Sequence, residues 1–311
     1  MSYNAVVFPG QGSQSVGMLH ELAGNYPMVK ETFDAVSHHM GYDLWALIQH
    51  GPEATLNQTE HTQVAMLVSD VAVYRVLVAE GFLMPKMMAG HSLGEYAALV
   101  CAGGISLLDA ARLVAARGRL MQDTVPLGKG AMAAVVGLSD DAVALLCEQV
   151  STAGEQVTPA NYNAIGQVVI AGHTQAVQRA VEQAPDAGAR MALIIPVSVP
   201  CHCPLLRDAA ASFADVLEAT SFQVPFLPVI SNVDLSVYAS IDQIRSLLKA
   251  QLYSPVRWVE TIQYMGAQGV TQIIECGPGK VLSGLVKRIE KSIPALSVND
   301  SASVSVALGK L

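Results

Sequence analysis

Met88-Ala-Gly-His-Ser-Leu-Gly-Glu-Tyr-Ala-Ala-Leu99 carries two backbone signals back to back. An apolar run at 87–89 reads as the end of a buried strand, and a helix-forming run at 93–101 follows at once. Between them lies Gly90-His91-Ser92-Leu93-Gly94, a G-x-S-x-G pentapeptide in the strand–turn–helix setting that holds a nucleophilic serine above a sheet. So tight a turn needs small neighbours. Gly90 and Gly94 remove side chains that would collide across it, and Ser92 is left to hold strained backbone angles with its hydroxyl exposed. The new helix aims free N–H groups and its positive dipole end at the space beside Ser92. That arrangement suits the negative oxygen of a tetrahedral acyl-transfer intermediate.

Outward from this turn the chain alternates strand and helix, which predicts an α/β fold with a parallel sheet. A first buried strand is expected at 5–8, followed by the loop Pro9-Gly-Gln-Gly-Ser-Gln-Ser-Val-Gly17. Its glycines, Gly10, Gly12 and Gly17, have the wrong spacing for a dinucleotide fingerprint, and no Gly-Lys-Ser/Thr follows. Two readings remain: an ordinary turn, or a loop whose glycines let the backbone approach another loop and present the Gln11 amide. Apolar residues at helical spacing from Val64 to Val78 predict a long helix over 59–80 packed on the sheet. After the Ser92 helix, Ser106-x-x-Asp109 opens another, to about 123. On it Arg112 and Arg119 share a face, whereas Arg117 points elsewhere. Arg117 is either solvated or turned inward, where it needs an anionic partner.

At 126–130 Pro and Gly punctuate the chain and the pattern changes. Strands at 131–136, 157–162, 167–171 and 191–197, with helices at 139–149 and 174–184, give the β-α-β-β-α-β order of a ferredoxin-like unit. We expect an inserted small domain at 128–198 in a larger α/β domain made of 1–127 and 199–311, with the ligand cleft between them. Further elements are expected at 205–220, 229–231, 241–253, 255–265 and 272–275. A last helix then ends near 291 and carries Lys280, Lys287 and Lys291 as a stripe, either a solvated face or a greeting for an acidic partner.

A partner for Ser92 is scarce. His91 is expected to face the other side of the turn. Downstream only His173 and His202 remain, both after strand ends, and His202 is preferred because it falls at the domain crossover. Cys201-His202-Cys203 has poor geometry for closing around zinc, and no second cluster matches it.

Bulk properties narrow the function. The 311 residues are 51% hydrophobic with a formal charge of −8, which argues against a general nucleic-acid binder. No signal-peptide pattern opens the chain, and no uninterrupted apolar run has the length of a membrane span. Five irregularly spaced cysteines fit free thiols in the cytoplasm.

The whole chain resembles the malonyl-CoA:acyl carrier protein transacylases of dissociated, bacterial-type fatty acid synthesis. The matching stretches are Phe8-Pro-Gly-Gln-Gly-Ser-Gln14, Gly90-His-Ser-Leu-Gly-Glu-Tyr-Ala97, Arg117-Gly118, Gly130-Ala-Met-Ala133, Gln167-Val-Val-Ile-Ala-Gly172, Pro196-Val-Ser-Val199, Gln251-Leu-Tyr-Ser-Pro-Val256 and Glu275-Cys-Gly-Pro-Gly-Lys280. The resemblance implies a hydrolase-like α/β large domain with the ferredoxin-like unit inserted, and a ping-pong transfer in which Ser92, deprotonated by His202, carries the malonyl group from malonyl-CoA to the phosphopantetheine thiol of acyl carrier protein. It implies an oxyanion hole from the N–H groups of Leu93 and Gln11, and a bidentate contact of Arg117 with the malonyl carboxylate. The backbone carbonyl of Gln251 would orient His202, and His91 and Asn163 would line the pocket. No cofactor is implied, and a monomer is expected, with the three lysines as a docking site for the acidic carrier. Cys201 departs from the serine or phenylalanine common before this histidine, and a small residue there loosens exclusion of an α-methyl group. Two other readings are a serine esterase or thioesterase, and a non-catalytic docking module. The esterase reading expects a carboxylate behind His202, for which Asp140, Asp141 and Asp186 sit in unpromising places.

Overall fold

A computed structural model describes residues 3–197 and 199–309. Met1, Ser2, Ser198, Lys310 and Leu311 lie outside the described residues, and with them the expected boundary at 198/199 and the chain ends of the large domain. The strands are β1 (Asn4–Phe8), β2 (Met87–Gly90), β3 (Gly130–Val136), β4 (Val157–Ala164), β5 (Gln167–His173), β6 (Met191–Ile195), β7 (Val229–Ile230), β8 (Gln272–Cys276) and β9 (Ala295–Val298).

Five of them form one sheet in the order β7-β2-β1-β8-β9, with every pairing parallel. β1 and β2 read as unbroken apolar runs because both faces of such a sheet are covered. Val6 and Phe8 face a cluster that includes the helices Thr59–Ala79 and Gly94–Cys101, whereas Ala5 and Val7 face Trp258, Ile262 and Leu285. Pairing of Phe8 with Gly90 sets the ends of β1 and β2 side by side, so the loop after Phe8 and the turn around Ser92 emerge together.

The helix Thr59–Ala79 is long and apolar enough to cross a membrane, yet 83% of its most apolar window is buried inside the fold. Packing on the sheet accounts for only part of this burial. Gln63, Ser69 and Asp70 are buried along with the apolar residues, because the helices Pro27–Met40 and Leu107–Thr124 cover the sides that the sheet leaves open.

The remaining strands form an antiparallel sheet in the order β4-β5-β3-β6, with helices Asp140–Val150 and Thr174–Gln183 in the ferredoxin-like connection. Ala133, Val135, Val168 and Ile170 pack under those helices, and Met132, Val169 and Ala171 turn the other way, toward Cys203. β4 is tied to the segment before the helix Trp258–Ala267, where Tyr162 N–H donates to Val256 O (2.9 Å) and Val256 N–H to Ala160 O (2.9 Å).

The C-terminus differs from expectation. The last predicted helix is Val281–Ile289, and after it come β9 and a further helix, Ser301–Ala307, capped by Asp300. β9 is a short edge strand, mostly half-buried, so it lacks the apolar run that marks β1 and β2. Lys280 therefore sits at the helix N-cap and Lys287 in its last turn, while Lys291 has left the helix; the three exposed lysines do not form one helical stripe.

Candidate active site

The turn after β2 is held by backbone in contact with backbone. A Cβ on Gly90 would lie 1.8 Å from the carbonyl carbon of Gly94, and one on Gly94 would lie 2.1 Å from Phe8 O. A Cβ on Gly10 would lie 2.5 Å from His91 O, so the Gly10-Gln11 loop presses directly on the turn. Gly12 has open space around it, and its requirement is the positive φ of 105°. Ser92 itself takes a left-handed φ of 54°. Its N–H donates to Asn232 Oδ1 (2.7 Å), and Asn232 Nδ2 donates to Gly90 O (2.7 Å), clamping the turn from below.

His202 is the imidazole that arrives. Ser92 Oγ lies 2.7 Å from His202 Nε2, and His202 Nδ1 lies 2.7 Å from the backbone carbonyl of Gln251. A carbonyl only accepts, so the proton sits on Nδ1 and leaves Nε2 free to take the serine proton. His202 is 2% exposed and also left-handed, with φ 60°; only two other non-glycine residues among those described share that feature. Strain of this kind persists where surrounding structure enforces it. Burial, reinforced by the Arg117 and His91 charges, pulls the imidazole down to about 3, so it is neutral at physiological pH. His173 instead accepts from Gln156 N–H at the start of β4.

Arg117 points inward. It is 2% exposed, whereas Arg112 and Arg119 pair at the surface with Asp109 and Glu60. Gly118 makes this possible: a Cβ there would lie 2.8 Å from Glu60 Cα, so the helix Leu107–Thr124 closes tightly on the start of Thr59–Ala79. Arg117 Nη1 donates to Gln63 Oε1 (2.9 Å), and Nη2 donates to Gln251 Oε1 (2.9 Å) and lies 3.4 Å from Ser92 Oγ. The guanidinium stands 5.5 Å from the Tyr96 ring centroid, and its Nε is buried without a partner among the described residues. No carboxylate is within ion-pair distance of it among those residues. A buried cation held only by neutral groups is costly, and an arriving anion relieves that cost.

Several polar groups at this site gave no sequence signal that tied them to Ser92. Glu95, fully buried, accepts from Gln251 Nε2 (2.6 Å), from the Tyr238 hydroxyl and from Asn232 N–H. Gln251 Nε2 also donates to Ser92 O (2.9 Å). One charged residue in the otherwise apolar helix Gly94–Cys101 was the available hint for Glu95. Gln63, Asn232 and Tyr238 had none, since each meets the site from a distant part of the chain.

The pocket over Ser92 has a volume of about 600 Å³. Gln11, Leu93, His91, Asn163, Arg117 and Cys201 line it, as do Met132, Val169 and Ile195 from the antiparallel sheet. His91 therefore faces the pocket, against the expectation from its place in the turn. Its ring meets Trp258 edge-on at 5.3 Å, and its Nε2 lies 2.7 Å from Asn163 Oδ1. Val281, Leu282 and Leu285 line the pocket too, which places Lys280 beside it and leaves Lys287 further along the same helix.

Residues 5–311 match the family model described as acyl transferase domain. Malonyl CoA-acyl carrier protein transacylase of Escherichia coli strain K12 is 52% identical over 308 residues, covering 99% of each chain. The protein of that name from Bacillus subtilis strain 168 is 41% identical over 311 residues, covering 100% of this chain and 98% of its own. Among solved structures, a malonyl-transacylase in complex with its type II polyketide acyl-carrier protein superposes with a TM-score of 0.98 at 50% identity, with both chains fully covered. The transacylase of Coxiella burnetii gives 0.98 at 47%, covering 100% of this chain and 98% of that one. Glycine-packed turn, full-length likeness and shared architecture agree: this chain belongs to the acyl transferase family, among the malonyl-CoA:acyl carrier protein transacylases.

Proposed function

We propose that the protein transfers the malonyl group of malonyl-CoA to the phosphopantetheine thiol of acyl carrier protein through a malonyl ester on Ser92. The observation that carries this reading is Arg117, a buried guanidinium beside the Ser92 hydroxyl with no carboxylate within ion-pair distance among the described residues. In the first half, Ser92 gives its proton to His202 Nε2 as Oγ attacks the thioester carbonyl. The N–H groups of Leu93 and Gln11 receive the oxyanion, and collapse of the intermediate expels CoA, which leaves with the proton from Nε2. In the second half the pantetheine thiol passes its proton to Nε2 and attacks the malonyl ester, and Ser92 departs with that proton. Through both halves Arg117 holds the free carboxylate, and His91 and Asn163 bound the pocket.

The esterase alternative expects a carboxylate on His202 Nδ1, and the Gln251 carbonyl lies there instead. Transfer needs no cofactor of the enzyme's own, since the phosphopantetheine arrives on the carrier. The carrier docks by charge at Lys280, beside the pocket, and at Lys287 and Lys291 beyond it. The division into a catalytic domain of 1–127 with 199–311 and a covering domain of 128–198 is part of this reading, as is a monomer in the cytoplasm, where the five free thiols stay reduced. Incubation with malonyl-CoA alone should add one malonyl mass to the intact protein, on Ser92, and Ser92→Ala should add none. Absence of the adduct in the unaltered protein ends the reading.

A further inference from the structure

Ser92, His202 and Arg117 all touch one residue, Gln251. Its backbone carbonyl holds His202 Nδ1, its Oε1 accepts from Arg117, and its Nε2 donates to Ser92 O and Glu95 Oε2. The two ends of an amide have nearly the same shape and opposite hydrogen-bonding character. A flipped amide would set its NH2 against the guanidinium and its oxygen against two acceptors. Ser92 O alone is a weak reason to prefer one orientation. Glu95 is a strong one, because an ionised carboxylate only accepts and its hydrogen bonds are charge-assisted. Glu95 is itself fixed by the Tyr238 hydroxyl and Asn232 N–H, and the Asn232 side chain in turn holds Ser92 N–H. Nothing in the packing of an apolar helix calls for a carboxyl there, and burying one without a catalytic return is unfavourable.

We propose that Glu95 is a positioning residue for the transfer: its carboxylate locks the Gln251 amide in one orientation, which turns Arg117 toward Ser92 and steadies the carbonyl that orients His202. This rests on the roles assigned above to Ser92, His202 and Arg117. The carboxylate that serine hydrolases set directly on the histidine is here moved one residue back, behind an amide that serves the specificity arginine as well.

The lock depends on charge, so it titrates. Burial pushes the Glu95 carboxyl up to about 7, against the pull of the Tyr238, Gln251 and Asn232 hydrogen bonds and the Arg117 charge. The other ionisable groups facing it are Tyr238 after β7 and Tyr96 on its own helix, both phenols raised by burial and neutral throughout. Asp70 on the helix Thr59–Ala79 interacts with Glu275, and Tyr74 with Cys101 and Cys276. His202 titrates far lower, at about 3. A step near pH 7 in Ser92 acylation therefore reports Glu95.

The test is the single-turnover rate of Ser92 malonylation at saturating malonyl-CoA, read by intact mass from pH 5 to 9. The unaltered protein should show a step near pH 7, faster on the alkaline side. Glu95→Gln should be about tenfold slower above pH 8, the worth of a charge-assisted hydrogen bond, and show no step down to pH 5. Tyr238→Phe removes a donor that favours the anion, so its step should move to higher pH; this variant decides the matter if Glu95→Gln does not fold. A full rate in Glu95→Gln, a step that survives in it, or an unmoved step in Tyr238→Phe overturns the proposal. A missing adduct in the unaltered protein rejects the transfer reading and this proposal with it, whereas normal acylation with unchanged profiles rejects Glu95 alone.

Discussion

Beside the strand ends of the parallel sheet, the pocket is lined by Ser92, His202 and Arg117, joined through Gln251 and Glu95 into one hydrogen-bonded group. Across from it the antiparallel sheet contributes Met132, Val169 and Ile195 together with the neutral amides of Asn161 and Asn163, with no charge among them. The first wall fixes atoms to within a hydrogen bond and is enforced by glycines with no room for a methyl group. The second wall supplies shape and dryness. Errors on the first should slow transfer itself, most severely at Ser92, and errors on the second should only blunt its selectivity.

The largest break comes at the hydroxyl. Ser92→Ala should cost about 10⁴-fold or more in transfer and leave no adduct. Gly94→Ala should match it, because the new Cβ meets Phe8 O; an active, folded Gly94→Ala protein would refute the packing argument. Next is Arg117→Ala, with kcat/KM for malonyl-CoA falling about 10²–10³-fold and acetyl-CoA little changed. Equal loss for both thioesters would mean that Arg117 supports structure rather than choosing the substrate.

A third prediction concerns pH and stability. His202 is at about 3 in the fold against 6.5 ordinarily, so between those values the unfolded chain binds the extra proton. Its contribution is full above pH 6.5 and is lost as pH falls toward 3. Glu95, raised from 4.5 to about 7, works in reverse: its contribution is present below 4.5 and lost as pH rises through 7. His202→Gln should flatten the rise of unfolding free energy between pH 4.5 and 6.5 by at most about 1.4 kcal/mol per pH unit, measured by chemical denaturation. An unaltered slope would show that the imidazole is not held neutral.

Smaller effects sharpen the comparison at its edges. Cys201→Phe fills the pocket beside His202 and should raise discrimination against methylmalonyl-CoA about tenfold, in competition assays of the two thioesters. Lys280→Glu with Lys287→Glu should lower kcat/KM for the carrier protein a few-fold, more at low salt, and spare malonyl-CoA. Equal loss with both substrates would remove the docking role.

How far each wall could be read from the chain follows from how local its causes are. β1, β2 and the turn at Ser92 were legible because apolar runs and glycine spacing act over a few residues. The β-α-β-β-α-β order was legible for the same reason, down to most strand limits. β9 was missed since an edge strand that is half-buried carries a weak pattern, and with it went the true end of the last predicted helix and the place of Lys291. Helical angle separated Arg117 from Arg112 and Arg119 without deciding which way it turned. The family resemblance put His91 in the pocket, where it lies, whereas the turn by itself pointed it away, because turn geometry alone does not say which side the second wall occupies.

By itself the sequence determined the sharp turn that carries Ser92, since Gly90 and Gly94 admit no other packing and the neighbouring strand and helix are coded within reach of it. The tertiary structure decided what surrounds that hydroxyl. His202, Gln251, Asn232 and Gln63 come from four separate segments, and a polar side chain has no periodic pattern to announce its partner. Only folding brings the donors and acceptors together in a place dry enough to keep His202 neutral and leave Arg117 waiting for an anion.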